Sequence, residues 1–353
     1  MTLHAFLLHL GFAASLACLS ALAVRVMIAV RVMDLPDPRK VQRVPVPRGG
    51  GVGVVLAFLV GIAVLYAHAE FSRLAEPYFR GVIFSAVAIA IVSFIDDVRA
   101  LSARLRLATQ LAAACVTVAS GLWVQRYSLP GLGVVDLGLL GIPATLFFIV
   151  FVTNAVNFID GLNGLASGTV LVACGFLSFI AAQQGGWFVY FSALLLAAGM
   201  AGFIPFNYPK ARIFLGDVGA QFAGFMMAVT GIAAARFERV ELSFLLVPLV
   251  LSGVLFDVGF TLARRLLMGE SLFKAHNTHL YQMAFRSGVP AWLVAAIHWG
   301  FAAFGGLCCL LFVTASPGQK VPSALLPLLP QLAWVLFVAL RVRRGGLSWR
   351  SGA

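Results

Sequence analysis

About eleven runs of roughly 20 predominantly apolar residues, separated by short polar loops, leave this chain few ways to fold. A helix needs that length to cross a hydrocarbon core, where every backbone polar group must find a partner within its own segment. The runs fall near 5–30, 50–69, 80–95, 105–124, 134–153, 163–183, 186–204, 213–235, 241–262, 290–314 and 322–341. The third ends on Asp96 and Asp97, and the fourth carries Arg104, Arg106 and Gln110 near its start, so either could also lie partly at an interface. The expectation is an all-α integral membrane protein, a polytopic bundle of about 10–11 transmembrane helices forming one domain over 1–353.

Composition excludes the main competitor, a soluble fold. Hydrophobic residues make up 61% of the chain and charged residues 11%, against about 25% charged in ordinary soluble domains. A net charge of +12 invites a nucleic-acid reading, but the basic residues sit in short clusters between apolar runs and fit bilayer orientation instead; no nucleic-acid partner is expected. They concentrate after odd-numbered runs, as Arg39, Lys40, Arg43 and Arg48, then Arg99, Arg104 and Arg106, then Arg264 and Arg265, and at the end Arg341, Arg343 and Arg344. Those loops and the C-terminus are therefore expected in the cytoplasm, with the N-terminus outside. Positive charge comes late in the first run and just after it, at Arg25 and Arg31, rather than before it, so a cleavable signal is not expected. Cys18, Cys115, Cys174, Cys308 and Cys309 lie within apolar runs without metal-ligand spacing and read as packing residues.

The stretch NAVNFIDGLNGLASG, 154–168, breaks this pattern. Amides and a carboxylate at membrane depth persist only where they line a wet or protein-walled cavity. On a helix Asn154, Asn157 and Asp160 would share an arc of about 120°, and Gly161, Gly164 and Gly168 would let other groups approach the backbone. Asp96 and Asp97 can face one site together only where their helix ends or bends; the purely structural reading is a helix-end pair held by Arg99 and Arg104. Asp217, in FLGDVGAQ, starts a run, where a helix dipole favours an acid even without a functional role. Asp96, Asp97, Asp160 and Asp217 together would make a cluster of hard oxygen donors that needs a cation, suited to Mg²⁺ or Mn²⁺. His276 and His279 would share a face if their loop were helical; no third strong zinc ligand is adjacent, so contact with a phosphate or sugar is the better reading. Asp257 lies inside a run with Arg264 a heptad on, and both a structural pairing and a function fit it.

Taken in order, VPVPRGGG (44–51), Asp96-Asp97 followed by LSARLRL, NAVNFIDGLNGLASG, FLGDVG and HNTHLYQ (276–282) resemble the polyprenyl-phosphate N-acetylhexosamine-1-phosphate transferase superfamily. The resemblance implies transfer of an N-acetylhexosamine 1-phosphate from a UDP-sugar to undecaprenyl phosphate with Mg²⁺, releasing UMP, at a cytoplasmic-facing site in a bacterial inner membrane. By it, Asp217 matches the metal ligand, with Asp96 and Asn157 beside it. Asp96 and Asp97 match the acidic pair, Asp96 being the candidate to deprotonate or orient the lipid phosphate. Asn154, Asn157 and Asp160 fall in the polar motif around metal and diphosphate, and Leu162, Asn163 and Phe214 fall where the uracil is held. His276 and His279 resemble the loop that meets the donor's sugar-phosphate end, and Arg48, Arg104 and Arg106 match phosphate partners. Oligomeric state stays open, a homodimer among the options.

This sequence departs from the family pattern in places. Asn163 stands where many members have Asp, and Gln42 where relatives often carry His. HNTHLYQ resembles the polysaccharide-initiating branch, so an O-antigen or similar envelope polysaccharide is favoured over peptidoglycan lipid I synthesis. An ion-coupled transporter or flippase would place its acids near the bilayer midplane in paired, interrupted helices; here they collect at the ends of runs. An intramembrane zinc protease would want His-Glu-x-x-His, which the sequence does not contain.

Overall fold

The computed structural model describes residues 2–34, 45–68, 77–236, 242–271 and 276–350. Helices make up 76% of it: α1 (Leu3–Val30), α2 (Gly51–His68), α3 (Pro77–Val98), α4 (Ala103–Ala119), α5 (Gly141–Phe158), α6 (Leu165–Gln184), α7 (Trp187–Phe203), α8 (Gly216–Arg236), α9 (Leu246–Val250), α10 (Ser252–Leu267), α11 (Leu280–Arg286), α12 (Ala291–Thr314), α13 (Pro317–Leu325) and α14 (Leu328–Arg344). Among the described residues, eight helical stretches are long and apolar enough to span a membrane. Three other expected spans are occupied by α2, α4 and the α9–α10 pair, which are shorter or broken. The chain is an all-α polytopic membrane protein.

At two places the helices depart from the apolar runs. The fourth run was expected to reach 124 and the fifth to begin at 134, but α4 stops at Ala119 and α5 starts at Gly141. Between them β1 (Arg126–Leu129) and β2 (Gly133–Asp136) pair antiparallel, Arg126 opposite Asp136. Pro130, Gly131 and Gly133 supply the turn, the two glycines at positive φ, as a tight reversal needs. The expected span 241–262 is likewise split at Leu251 into α9 and α10.

The core is organised around α8, buried over 94% of its spanning window against 22% for α1. It packs on α2, α3, α5 and α7. Small residues permit the close crossings: a Cβ on Gly51 of α2 would collide with the backbone of Gly219, and one on Gly224 would strike Thr153 of α5. The N-terminal turn of α8, the C-terminal ends of α3 and α5 and the start of α4 thereby meet at one end of the bundle.

Candidate active site

α3 ends one residue after Asp97, so its last turn presents two adjacent acids to one region, as the sequence required. Their roles differ. Asp97 is buried and both of its oxygens cap α8, Oδ1 accepting from the Asp217 N–H at 3.0 Å and Oδ2 from the Val218 N–H at 3.1 Å. Two orphan amides at a helix start thus find a carboxylate supplied by another helix. Asp96 Oδ1 accepts from the Leu101 N–H at 2.6 Å. Its other oxygen lies 3.4 Å from Arg106 Nη1, which is also 3.6 Å from Asp217 Oδ2. Arg106 therefore ties the two acids together, and Arg99 and Arg104 are not the partners. Arg104, two positions away on α4, is exposed and outside the cavity; residues two apart on a helix face opposite sides.

Beside these groups lies a cavity of about 330 Å³ lined by Asp34, Arg48, Asp97, Asn157, Asp160, Gly161, Leu162, Asn163, Asn207, Phe214, Leu215, Gly216, Asp217 and Gln282. Eight of the fourteen nominated residues share this wall. Arg48 stands between Asp34 (3.5 Å) and Asp97 (3.9 Å). Its segment is fixed to the FLGD stretch by backbone bonds from Phe214 N to Pro47 O and from Gly50 N to Phe214 O. Short strands β3 (Met33–Asp34) and β4 (Val46–Pro47) pair antiparallel there; Gln42 lies outside the described residues.

The turn 159–164 begins where α5 ends, so Asp160 is beyond the helix rather than on its face. Asn207 pins this turn, its Oδ1 accepting from the Gly164 N–H at 2.5 Å while its Nδ2 donates to Ile213 O at 2.9 Å. Asn163 Nδ2 donates to Pro209 O at 3.2 Å. Asn154 does not reach the cavity: its amide pairs with Gln110 of α4. Asn207, Asp34 and Gln282 were not singled out from the sequence. Asn207 precedes FLGD by only seven positions, yet nothing local announces its bond to Gly164.

The histidine loop is not helical before Leu280; His279 is the N-cap of α11. The rings of His276 and His279 nevertheless stack, centroids 4.9 Å apart. Asp257 organises this loop. Its Oδ1 lies 3.0 Å from His279 Nδ1 and accepts the Leu280 N–H, and its Oδ2 accepts the Tyr281 N–H at 2.9 Å. Arg264 is thus not its partner. Tyr281 in turn donates its hydroxyl to Phe158 O at 2.9 Å, joining the loop to the end of α5. Burial, then the charges of His279, Arg265 and Arg264, pushes His276 down to about 4, so it is neutral at pH 7.

The donor set fits a hard divalent cation. Asp160 carries no side-chain hydrogen bond or ion pair among the described residues, and faces the carboxylates of Asp217 and Asp97. Burial first, then those two charges, raises its pKa well above the ordinary value. Asn157 lines the same wall with its amide unpaired among the described residues. No three acids, histidines or cysteines among the described residues enclose an ion on their own. A cation held here would have to complete its shell with waters and substrate phosphates, as Mg²⁺ commonly does.

Fold and cavity together define a polytopic membrane protein with a polar, acid-lined site built where helix ends meet. A model of glycosyl transferase family 4 matches residues 79–235. The chain is 29% identical over 265 residues to the "Probable undecaprenyl-phosphate N-acetylglucosaminyl 1-phosphate transferase" of Bacillus subtilis, covering 74% of this chain and 72% of that protein. It is 31% identical over 316 residues to the decaprenyl-phosphate N-acetylglucosaminephosphotransferase of Mycobacterium tuberculosis, covering 81% and 78%. With the phospho-N-acetylmuramoyl-pentapeptide-transferase of Clostridioides difficile it shares 35% identity over 152 residues, 43% of this chain and 44% of that one. The chain belongs to the polyprenyl-phosphate N-acetylhexosamine-1-phosphate transferase superfamily, and is a membrane phosphotransferase acting on polyprenyl phosphate.

Proposed function

We propose that the protein transfers an N-acetylhexosamine 1-phosphate from a UDP-sugar to undecaprenyl phosphate, releasing UMP, and so initiates an O-antigen or other envelope polysaccharide. The observation that carries this reading is the convergence of Asn157, Asp160 and Asp217 with Phe214, Leu162 and Asn163 on one cavity wall. It offers anionic oxygens and an aromatic ring to the two ends of a nucleotide diphosphate. Relatives named for N-acetylglucosamine phosphate transfer match at 29% and 31% identity over 74% and 81% of the chain, against 27% over 73% for a phospho-N-acetylmuramoyl-pentapeptide-transferase, which favours the polysaccharide branch over lipid I synthesis.

Asp217, Asp160 and Asn157 would hold Mg²⁺, with Mn²⁺ the alternative, and Asp96 stands behind them through Arg106. When bound, the cation neutralises the donor diphosphate and the charge that builds on it. Arg106, held by Asp96 and Asp217, places a guanidinium against phosphate oxygens, and Arg48 does so at the Asp34 side. Phe214 stacks on uracil beside Leu162 and Asn163. His279, held by Asp257, meets the sugar-phosphate end together with neutral His276. A lipid phosphate oxygen attacks the sugar-bearing phosphorus directly, forming one P–O bond as the P–O bond to UMP breaks; a phosphate dianion needs no covalent carrier on the protein. The positive-inside pattern supports a cytoplasmic site in a bacterial inner membrane, with the N-terminus outside.

Purified protein with undecaprenyl phosphate, Mg²⁺ and a panel of UDP-N-acetylhexosamines tests this by UMP release. Turnover with at least one donor and dependence on the lipid phosphate are expected; no UMP from any donor contradicts the reading.

A further inference from the structure

One turn behind the cavity, a ladder of buried amides joins α4, α5 and α8. Gln110 Nε2 donates to Asn154 Oδ1 at 3.3 Å and to Gln221 Oε1 at 3.1 Å; Asn154 Nδ2 donates to Gln110 Oε1 at 2.5 Å and to Val150 O at 2.8 Å. Gln110 and Gln221 are fully removed from the surface. Each member stands one turn from a cavity-side residue on the same helix. Gln110 follows Arg106 by four positions, Gln221 follows Asp217 by four, and Asn154 precedes Asn157 by three. Residues three or four apart share a helix face. Because α5 runs toward the cavity while α4 and α8 start from it, all three amides lie on the same deeper tier.

We infer that Gln110, Asn154 and Gln221 are positioning residues that set the register of α4, α5 and α8 and so bring Arg106, Asn157 and Asp217 to one point. Sliding any one helix by a residue moves its side chain about 1.5 Å along the axis and turns it by about 100°, which breaks every bond of that member. In an apolar surround the freed amides find no water, so one register is held against its neighbours. A glue role alone would not require the three amides to sit one turn behind three cavity-side groups. The inference rests on the proposed transfer reaction for its kinetic consequence, but not for its structural one.

The test compares Gln110→Leu, Asn154→Leu, Gln110→Asn and the exchange Gln110→Asn/Asn154→Gln, which moves one methylene across the pair and keeps both amides. Each single variant is expected to lower kcat by about tenfold to a hundredfold, since a displacement of about 1 Å at the site is enough. Donor KM should rise by less than kcat falls, because the uracil wall of Leu162, Asn163 and Phe214 keeps its place while the phosphate and metal groups shift. The exchange variant should recover most of kcat. Hydrogen exchange over 216–221 should speed up in the single variants and return toward wild type in the exchange, whether or not turnover is seen. Single variants with wild-type kcat and exchange rates, an exchange variant no better than Gln110→Asn, or a loss that appears only in KM overturns the inference. Wild-type protein that releases no UMP would instead contradict the reaction, leaving the exchange measurement to decide the register. Should Gln110→Leu not fold, Gln110→Asn and its exchange partner decide by the same comparison.

Discussion

Asp97 caps the helix that carries Asp217: its Oδ1 accepts the Asp217 N–H at 3.0 Å while its Oδ2 takes the next amide. One acid of the cluster thus fixes the start of α8, and another projects from that start into the cavity. Gly216 makes this possible. It lies at φ +76°, and a Cβ there would strike the Asp97 carboxylate.

Asp97→Ala should therefore cost about 1–2 kcal/mol of stability through the lost cap and abolish most transfer. Gly216→Ala should act the same way without touching an ionisable group, because it both strains the backbone and displaces Asp97. Thermal unfolding and initial rates on the two variants check this. A Gly216→Ala protein with unchanged rate would show that the cap does not position Asp217.

Asp257 and His279 should behave as one unit. Asp257→Ala leaves the Leu280 and Tyr281 amides and His279 Nδ1 without their acceptor, so donor KM should rise by about tenfold. His279→Ala should cost a similar amount, and the double variant scarcely more than either single. Additive losses would mean that the acid does not work through the histidine.

A pH dependence follows from Asp160. Its carboxyl is raised well above 3.8 by burial and then by Asp217 and Asp97. Ionising it in the folded state thus costs free energy that is absent below the ordinary value and grows as pH rises toward the raised one. Without divalent cation, stability should fall as pH climbs from the ordinary carboxylate value toward the raised one; with Mg²⁺ the fall should shrink. Melting temperatures with and without Mg²⁺ report both effects, and Asp160→Asn should flatten the metal-free profile. A wild-type profile indifferent to Mg²⁺ at every pH would remove Asp160 from the ligand set.

The C-terminal segment supports the histidine loop through Arg264. That side chain donates to Trp349 O at 2.8 Å and to Thr278 O at 3.0 Å, and its guanidinium lies 5.0 Å from the centre of the Trp349 ring. Arg264→Ala should loosen residues 276–286 and raise donor KM by about threefold to tenfold. Trp349→Phe, which keeps the backbone carbonyl and a ring, should do less. Equal effects from the two would mean that the indole ring, and not the hydrogen bonds from Arg264, holds the loop.

Much of this was legible in the apolar runs and motifs, because span length and intramembrane acids are strong local signals. Asp96 and Asp97 were expected to close the third run, and α3 does end one residue beyond them. The losses came where tertiary pairing overrode spacing. Asn154 was expected beside Asn157 and Asp160, but α5 ends at Phe158, leaving Asp160 in a turn and Asn154 a full turn deeper. Its partner Gln110 lies 44 positions away, a distance at which no periodicity speaks. Asp257 with His279, 22 positions apart, was hidden for the same reason. The hairpin at 126–136 was lost because Val134, Val135 and Leu137 are apolar enough to read as the start of a span.

The central claim, that Asp217 and Asp160 together hold the divalent cation on which transfer depends, is tested most directly by titrating Mg²⁺ into metal-stripped wild type, Asp217→Asn and Asp160→Asn while following labelled sugar phosphate into lipid. Wild type should be silent without metal and recover on addition. Both variants should lose about a hundredfold or more in rate, with any residual activity needing far more Mg²⁺. Wild-type transfer in the presence of a chelator, or variants that saturate with Mg²⁺ like wild type, would contradict it.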